Sequence, residues 1–399
     1  MSNASLTRFS VVKQTTPGTT PTNPAWLNLN STGPGGGPEL EEIESQTIRA
    51  GRRAAGKKAV GKKSSLQIPF ETQFDSTGAF WQLLVASIQS GTPTAATTQV
   101  TGVTCAAGVP GIVGLSASGI ETGITAGDFV RVRTSADVTV GYFRVYSSIT
   151  GTIAVFDPAS LLTVGVTTYK VKRGLKATNG ETESWFSMLE SNRKIDSTSG
   201  YDLFQLYERE AVDSINMTVT SRGFITGQLT TRGVGSSGFT ETDPSTGTPT
   251  YTAAPSTEFL DGTNNVPMVV IGFAVVGVQS VSFGWRNNME TRTIVGDYDP
   301  AGVKSGDFRV EGSIALYYDD ITELNKALLG TPSILHVIFE DAAGNALIFS
   351  FPKIRYGPIT KSGQQQGGSI IWTLPFSSDP PNVLAGEEDH DVHVEAFVA

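Results

Sequence analysis

One ordered run of signals occurs twice in this chain, and that duplication restricts the fold more than any bulk property does. In the first copy "ESQTI" (44–48) precedes a loop and the alternating "SLQIPFETQFD" (65–75). There Leu66, Ile68, Phe70 and Phe74 point one way. Gln67, Glu71, Gln73 and Asp75 point the other, with Pro69 among them. A period of two with one apolar face describes a half-buried strand. "STGAFWQLLVASI" then changes period, placing Phe80, Trp81, Leu84, Val85 and Ile88 on one side of a helix with Asp75 or Ser76 as N-cap. "GTP" at 91–93 stops it. In the second copy "ETRTI" (290–294) precedes "FRVEGSIALYYDD" (308–320), which alternates with Phe308, Val310, Ile314, Leu316 and Tyr318 on one face. "DITELNKALL" follows, with Asp320 and Glu323 spaced as a capping box and Ile321, Leu324 and Leu328 as its apolar stripe. "GTP" at 330–332 closes it. Asp75 matches Asp319 and Phe80 matches Leu324 at one constant offset, so the ordered set reads as an internal duplication.

The downstream parts agree in kind. "ESWFSMLESNR" (183–193) parallels "SILHVIFEDAAG" (333–344), and each half ends in alternating sequence, "SINMTVTSRGFITGQLTTRG" (214–233) and "SIIWTLPF" (369–376). Residues 94–172 have no counterpart and contain short strands between Gly, Asp and Pro turns, which predicts a small inserted β-barrel or sandwich facing outward. The expected organisation is an N-terminal arm (1–40), a first unit (41–93 and 173–240) interrupted by the insert (94–172), a linker (241–258), a second unit (259–380) and an acidic C-terminal tail (381–399). The fold class is mainly β with a few short helices. The chain's 44 glycines and 17% charged residues agree with a turn-rich β protein.

Little in the sequence asks for chemistry. No Ser-His-Asp order, nucleotide loop or HExxH run is present, and "GPGGG" (33–37) is a turn or linker. His336 lies in an alternating strand with no Cys or second His beside it, so a structural role is expected. His390 and His393 sit in "EEDHDVHVE", where a solvated terminus is expected and a divalent-metal site is the alternative. Cys105, the one cysteine, excludes an intrachain disulfide and reads as a buried inert thiol, which fits assembly in a reducing cytoplasm. Tyr142, Phe143 and Tyr146 in the insert are core aromatics or, alternatively, a carbohydrate-binding surface. No catalytic residue, metal or cofactor is assigned, and no apolar run reaches the length of a membrane span.

Charge is unevenly placed. "IRAGRRAAGKKAVGKKSS" (48–65) carries Arg49, Arg52, Arg53, Lys57, Lys58, Lys62 and Lys63 and no acid. Taking these seven from a net charge of −9 leaves −16, a body that repels polyanions. The stretch reads as a flexible loop with three roles open to it: docking onto a neighbouring subunit or ring, plain solvation, or direct DNA contact. The corresponding second-half loop, "VGDYDPAGVKSGD" (295–307), is short and net acidic.

The passages "ESQTIRAGRRAAGKK…SLQIPFETQFDSTGAFWQLL", "VEGSIALYYDDITELNKALL" and "FSFPKIRYGPITKSGQQQGGSIIWTLPFSS" together resemble the tail tube proteins of long, non-contractile-tailed bacteriophages, in a duplicated form. The insert "GDFVRVR…GYFRVYSSITGTIAVFD" looks like one carried by some members. The resemblance covers residues 41–380. It implies two tandem tail-tube-type β-barrel or sandwich units, each with a flanking helix, that form rings around a closed inner barrel and stack into a DNA-conducting tube in the virion. Three duplicated chains would supply the six barrel units of a ring, hence a trimer with pseudo-sixfold symmetry. The implied partners are further copies of the chain, a tape measure protein and DNA in the lumen, and tail terminator and tail tip proteins. The candidate lumen-facing residues are Gln67, Glu71, Gln73, Asp75, Arg309, Glu311, Ser313, Tyr317 and Asp319. An ordinary solvent-facing sheet is the plainer account of the same alternation. A head shell or decoration protein and a bacterial secretion-tube component are the alternative functions.

Overall fold

The computed structural model describes residues 2–45, 56–108, 112–157, 160–194, 200–201, 203–272, 274–317, 321–362, 370–379 and 390–399. The first unit opens with β1 (Ser2–Lys13), β2 (Ala25–Leu29), β3 (Gly35–Glu44), β4 (Lys57–Glu71) and α1 (Ala79–Ser87). Six strands follow: β5 (Val100–Ala107), β6 (Ile112–Ser116), β7 (Phe129–Arg133), β8 (Thr139–Ile149), β9 (Thr152–Phe156) and β10 (Tyr169–Arg173). The unit resumes with β11 (Leu175–Thr178), β12 (Phe186–Lys194), β13 (Leu203–Thr220) and β14 (Thr226–Gly233), then β15 (Ser236–Thr240) and β16 (Thr250–Thr252). The second unit holds β17 (Met268–Ile271), β18 (Ala274–Val275), β19 (Val278–Arg286), β20 (Glu290–Arg292), β21 (Gly302–Lys304), β22 (Arg309–Tyr317) and α2 (Ile321–Leu329). It ends with β23 (Ser333–Glu340), β24 (Ala346–Tyr356), β25 (Thr360–Lys361), β26 (Ile371–Ser378) and β27 (His393–Phe397).

Strand pairing displays the duplication. In the first unit β2 pairs β1, β1 pairs β12, β12 pairs β13, β13 pairs β14, β14 pairs β4 and β4 pairs β3. In the second unit β18, β17, β23, β24, β26, β22 and β19 repeat that series in the same order. The expected N-terminal arm is therefore an integral part of the first unit. Its Pro and Gly punctuate the turns, while Phe9, Val11 and Trp26 are buried in the sheet. The expected linker is also structured. β16 lies parallel to β2, Trp26 Nε1 donates to Ser245 Oγ at 2.9 Å, and the Arg8 guanidinium stacks over Tyr251.

The two units share one core. Residues from both α1 (Phe80, Leu84) and the second unit (Phe283, Trp285, Phe349) belong to a single apolar cluster. The helix α1 is buried on almost every side, not on one stripe. The N-cap of α1 is Gly78, not the expected Asp75 or Ser76. The buried Asp75 carboxylate lies ahead of the helix and accepts from the backbone N–H of Thr77, Gly78 and Phe80, which fixes the turn leading into it. In the second helix Asp320 lies outside the described residues, and Glu323 is turned to other partners. Its buried carboxylate is met by Lys326 Nζ (2.7 Å), Ser333 Oγ (2.8 Å) and Tyr356 OH (2.7 Å).

β5 to β10 form a closed barrel with its own core, which includes Cys105 and Phe143. Phe129 and Tyr142 project from the barrel onto Ile338, Ile348 and Phe397 of the second unit. Of the three insert aromatics, only Tyr146 is exposed, so no aromatic binding surface forms from them. His336 packs edge-on against Phe129 at 5.0 Å. The C-terminus is not a solvated tail where it is described: β27 fills the space between β11 and β24, and Val394, Ala396 and Phe397 are buried.

Two glycines mark where strands carry a large neighbour. A Cβ on Gly227 would meet the Phe70 ring and Asn216 O, and one on Gly312 the Phe376 ring and Ser282 O, all closer than 3.0 Å. Each glycine sits directly opposite its phenylalanine across the strand pair, Gly227 with Phe70 and Gly312 with Phe376. The ring covers the bare backbone. Gly312→Ala is expected to cost about 2 kcal/mol or more, since backbone and ring both obstruct the methyl group. For a chain of this length a loss of that size lowers the thermal midpoint by roughly 2 °C or more, so a midpoint within about 0.5 °C of wild type would show the packing reading to be wrong.

Candidate functional site: a polar sheet face and a charged hairpin

Alternation in β4, β14, β13, β19, β22 and β26 builds one face across both units. The register aligns Gln67, Thr230, Ser214, Arg286 and Arg309 in a first cross-strand row. Pro69, Gln228, Asn216, Gly284, Glu311 and Ser377 form a second. Glu71, Thr226, Thr218, Ser282, Ser313 and Pro375 form a third. Intervening residues such as Ile68, Leu229, Ile215, Phe283, Ile314 and Leu374 are buried in the shared core. The face is mostly hydroxyl and amide. Its charges offset one another: Arg286 pairs with Glu311, Arg232 Nε meets Asp213 Oδ2 at 2.9 Å, and Gln228 donates to Gln67 Oε1 at 3.3 Å. The inserted barrel lies on the other side of the molecule, against the face of β23 and β24 that points away from this core.

Of the candidate lumen-facing residues, Gln67, Glu71, Arg309, Glu311, Ser313 and Tyr317 share this face. Gln73 and Asp75 do not. Gln73 is buried and bonded to Asn30 and the Thr257 carbonyl, and the buried Asp75 carboxylate accepts backbone N–H groups in the turn leading into α1. The strand ends at Glu71, so its alternation no longer decides which way those two side chains point. Asp319 lies outside the described residues. Asn216, Thr218, Thr226 and Gln228, in the middle of the face, were not among the expected residues, although the alternation of 214–233 carried the signal; Ser282 lies outside that stretch.

The basic stretch also differs from its expectation. Arg49, Arg52 and Arg53 lie outside the described residues. Lys57, Lys58, Lys62 and Lys63 are not in a loop but open β4, paired against the acidic β3. Lys57 meets Glu42 at 3.6 Å, and Lys63 meets Glu39 and Glu41 at 3.5 and 3.4 Å. Lys62 reaches Asp299 of the second-half loop at 3.2 Å. The missed signal was "ELEEIE" (39–44), whose acids supply the cross-strand partners.

Near the C-terminus, Asp128, His393 and Glu395 bring potential metal-ligand atoms within 4.8 Å of one another. Asp128 already pairs with Arg173 and Lys176, and Glu395 accepts from the N–H of Phe129 at 2.8 Å. The cluster is thus a charge-compensated ion network that fastens the barrel to β27.

Two fused copies of one sheet unit and a single polar face define a mainly β protein. The chain belongs to the phage tail tube protein family, whose model matches residues 4–388, from β1 through the insert and the second unit. It is a structural component of the virion tail. No curated protein matches the sequence. Among the described residues no helix is long and apolar enough to cross a membrane.

Behind the polar face, Glu210 is buried where β13 bends at Arg209 (φ 56°). Thr231 Oγ1 donates to it at 2.7 Å, as does the Ser64 hydroxyl, yet burial pushes its carboxyl up from 4.5 to about 7. A raised folded value favours the protonated form. The associated stability is complete below the unfolded value and is lost as pH rises through about 7. Glu210→Gln should therefore match wild type in unfolding free energy at pH 4 and exceed it at pH 8, by on the order of 1–3 kcal/mol. An offset between the two proteins that is the same at both pH values would sink this assignment.

Proposed function

We propose that this protein polymerises as stacked rings into the phage tail tube and that its polar face lines the conduit for DNA ejection. One observation carries the reading: six strands from both units present a single hydroxyl- and amide-rich face backed by the shared core. A sheet that is wet on one side and dry on the other closes into a water-filled barrel without exposing apolar surface. Few cations on that wall are left without a carboxylate, so DNA phosphates find little to displace counterions onto and the duplex slides. Three chains provide six units, giving a trimeric ring of pseudo-sixfold appearance. The tape measure protein and then DNA occupy the lumen, while terminator and tip proteins cap the ends. Assembly takes place in the host cytoplasm.

Negative-stain images of the purified protein should show hollow tubes, and disassembled rings should have the mass of three chains. Adding Gln67→Arg and Thr218→Arg to the wall should leave tubes intact and slow DNA ejection several-fold. Shells in place of tubes, or unchanged ejection by the arginine variant, would count against the reading.

The charged hairpin serves docking between neighbouring subunits or rings in this reading, because like-charged rings otherwise repel. Replacing Arg49, Arg52, Arg53, Lys57, Lys58, Lys62 and Lys63 by Gln should slow polymerisation most at low salt. Wild-type rates under those conditions would remove the docking role.

A further inference from the structure

The joint between the two units is a template for a second joint. Inside the chain, β13 of the first unit pairs β19 of the second over Ser214–Thr220 and Arg286–Ser280. The seam is reinforced from above. Trp285 Nε1 and Asn287 Nδ2 donate to Ser87 Oγ (2.9 Å) and Ser87 O (2.8 Å) at the end of α1. Met289 then enters a small cluster with Ala211 and Val303, and Arg209 holds the following hairpin through the Ala301 carbonyl at 2.7 Å.

The duplicated pairing shows which surfaces stand in the same relation elsewhere. β3 is to the first unit what β19 and β20 are to the second. Gly35 lies opposite Gln67 as Gly284 lies opposite Glu311, so Leu40 occupies the position of Met289. At the other end, β24 and β25 flank β26 as β13 flanks β14, so Arg355 occupies the position of Ser214. Neither counterpart has a cover among the described residues. Among the described residues β3 pairs only with β4, and β25 only with β26. Met289 is 5% exposed, whereas Leu40 is 63% exposed. The end of α1 is buried beneath the second unit, whereas Leu328 and Leu329 at the end of α2 are 71% and 80% exposed. Both surfaces carry charge. Lys361 and Arg355, the latter bridged to Asp379 at 3.0 Å, lie on one edge, and Glu39, Glu41, Glu42 and Glu44, the first three bridged to lysines of β4, on the other.

We propose that the β24–β25 edge and the exposed end of α2 form a docking surface for the β3–β4 hairpin of a second copy of this chain, reproducing between chains the β13–β19 seam within one. This rests on the tube reading and deepens it by naming the two edges and their register. β25 adds its strand to β3 of the next chain, and the hairpin around Leu40 covers Leu328 and Leu329. The contact is head-to-tail and closes after a whole number of chains.

Equivalence with Val219 and Val281 places Lys361 against Thr32 of the neighbour. The test is a double-cysteine variant, Thr32→Cys with Lys361→Cys, oxidised after assembly. Buried Cys105 does not compete, since burial pushes its thiol up. Non-reducing gels should show a disulfide ladder that ends at the closed ring, and Leu40→Cys with Lys361→Cys, several residues out of register, should show none. Tubes in the microscope without a ladder for the first pair, or with equal ladders for both, overturn the proposed interface and leave the tube reading standing. Neither tubes nor ladder overturns both.

Discussion

The pairing of β13 with β19 is the interaction on which the rest of the architecture depends. Two sheet units joined only by a tether would each keep an open edge and an incompletely covered apolar face. Seven consecutive residue pairs from Ser214 to Thr220 remove one edge from each unit. They also bring the inward side chains of both sheets, Ile215 and Met217 from one and Val281 and Phe283 from the other, into one apolar cluster. Register follows from the same seam. A slip of one residue would turn Asn216 and Thr218 into the core and Ile215 and Met217 into water. The continuity of the polar face and the integrity of the core are thus one constraint, seen from opposite sides of the sheet.

The inserted barrel and the end of the chain supply a second tie. The insert leaves the first unit after α1 but lands on the second, through Phe129 and Tyr142. β27 closes the gap by pairing with β11 on one side and β24 on the other. At that corner Asp128 pairs with Arg173 and Lys176, Glu395 accepts from the N–H of Phe129 and Gly174, and Arg131 donates to the carbonyls of Gly344 and Val398 at 3.0 and 2.7 Å. Buried ions are costly alone and tolerable together, so the network favours this one placement of the barrel over a loosely hinged decoration. It also keeps the barrel on the side of the molecule remote from the polar face.

Local sequence carried the repeated parts well and the long-range closures poorly. Alternation at Leu66–Phe70 and Val310–Leu316 translates directly into strands, because a half-buried sheet enforces a period of two. The six-stranded barrel likewise follows from short strands between turns. What escaped were elements whose partners lie far along the chain. β1 pairs with β12 across about 180 residues, and nothing near "NASLTRFSVVK" announces it. The run His393–Phe397 is hidden behind acidic residues and becomes a strand only because β24 and β11 leave a slot. The lysines of 57–63 read as a flexible loop because the acids of 39–44 were not recognised as their cross-strand partners. Alternation was extended too far at Gln73 and Asp75, where the strand has already ended and a helix start claims the carboxylate.

The two copies have diverged where their circumstances differ. The hairpin of the second unit, β20–β21, is folded onto the first unit as the chain folds, so it tolerates apolar contacts such as Met289 and Val303, which are never exposed in the free subunit. The hairpin of the first unit has no such cover among the described residues. It is longer, and each strand is laced with charge: glutamates on β3 and lysines on β4, bridged across the pair. Those charges keep an uncovered edge soluble and hinder indiscriminate edge pairing while subunits are still separate. The apolar residues it does carry, Leu40 and Ile43, are set singly between acids instead of forming a patch. A seam made once inside the chain can be oily, whereas one made between chains must first survive in water. In the proposed ring, the paired glutamates of β3 and lysines of β4 are the physical trace of that difference.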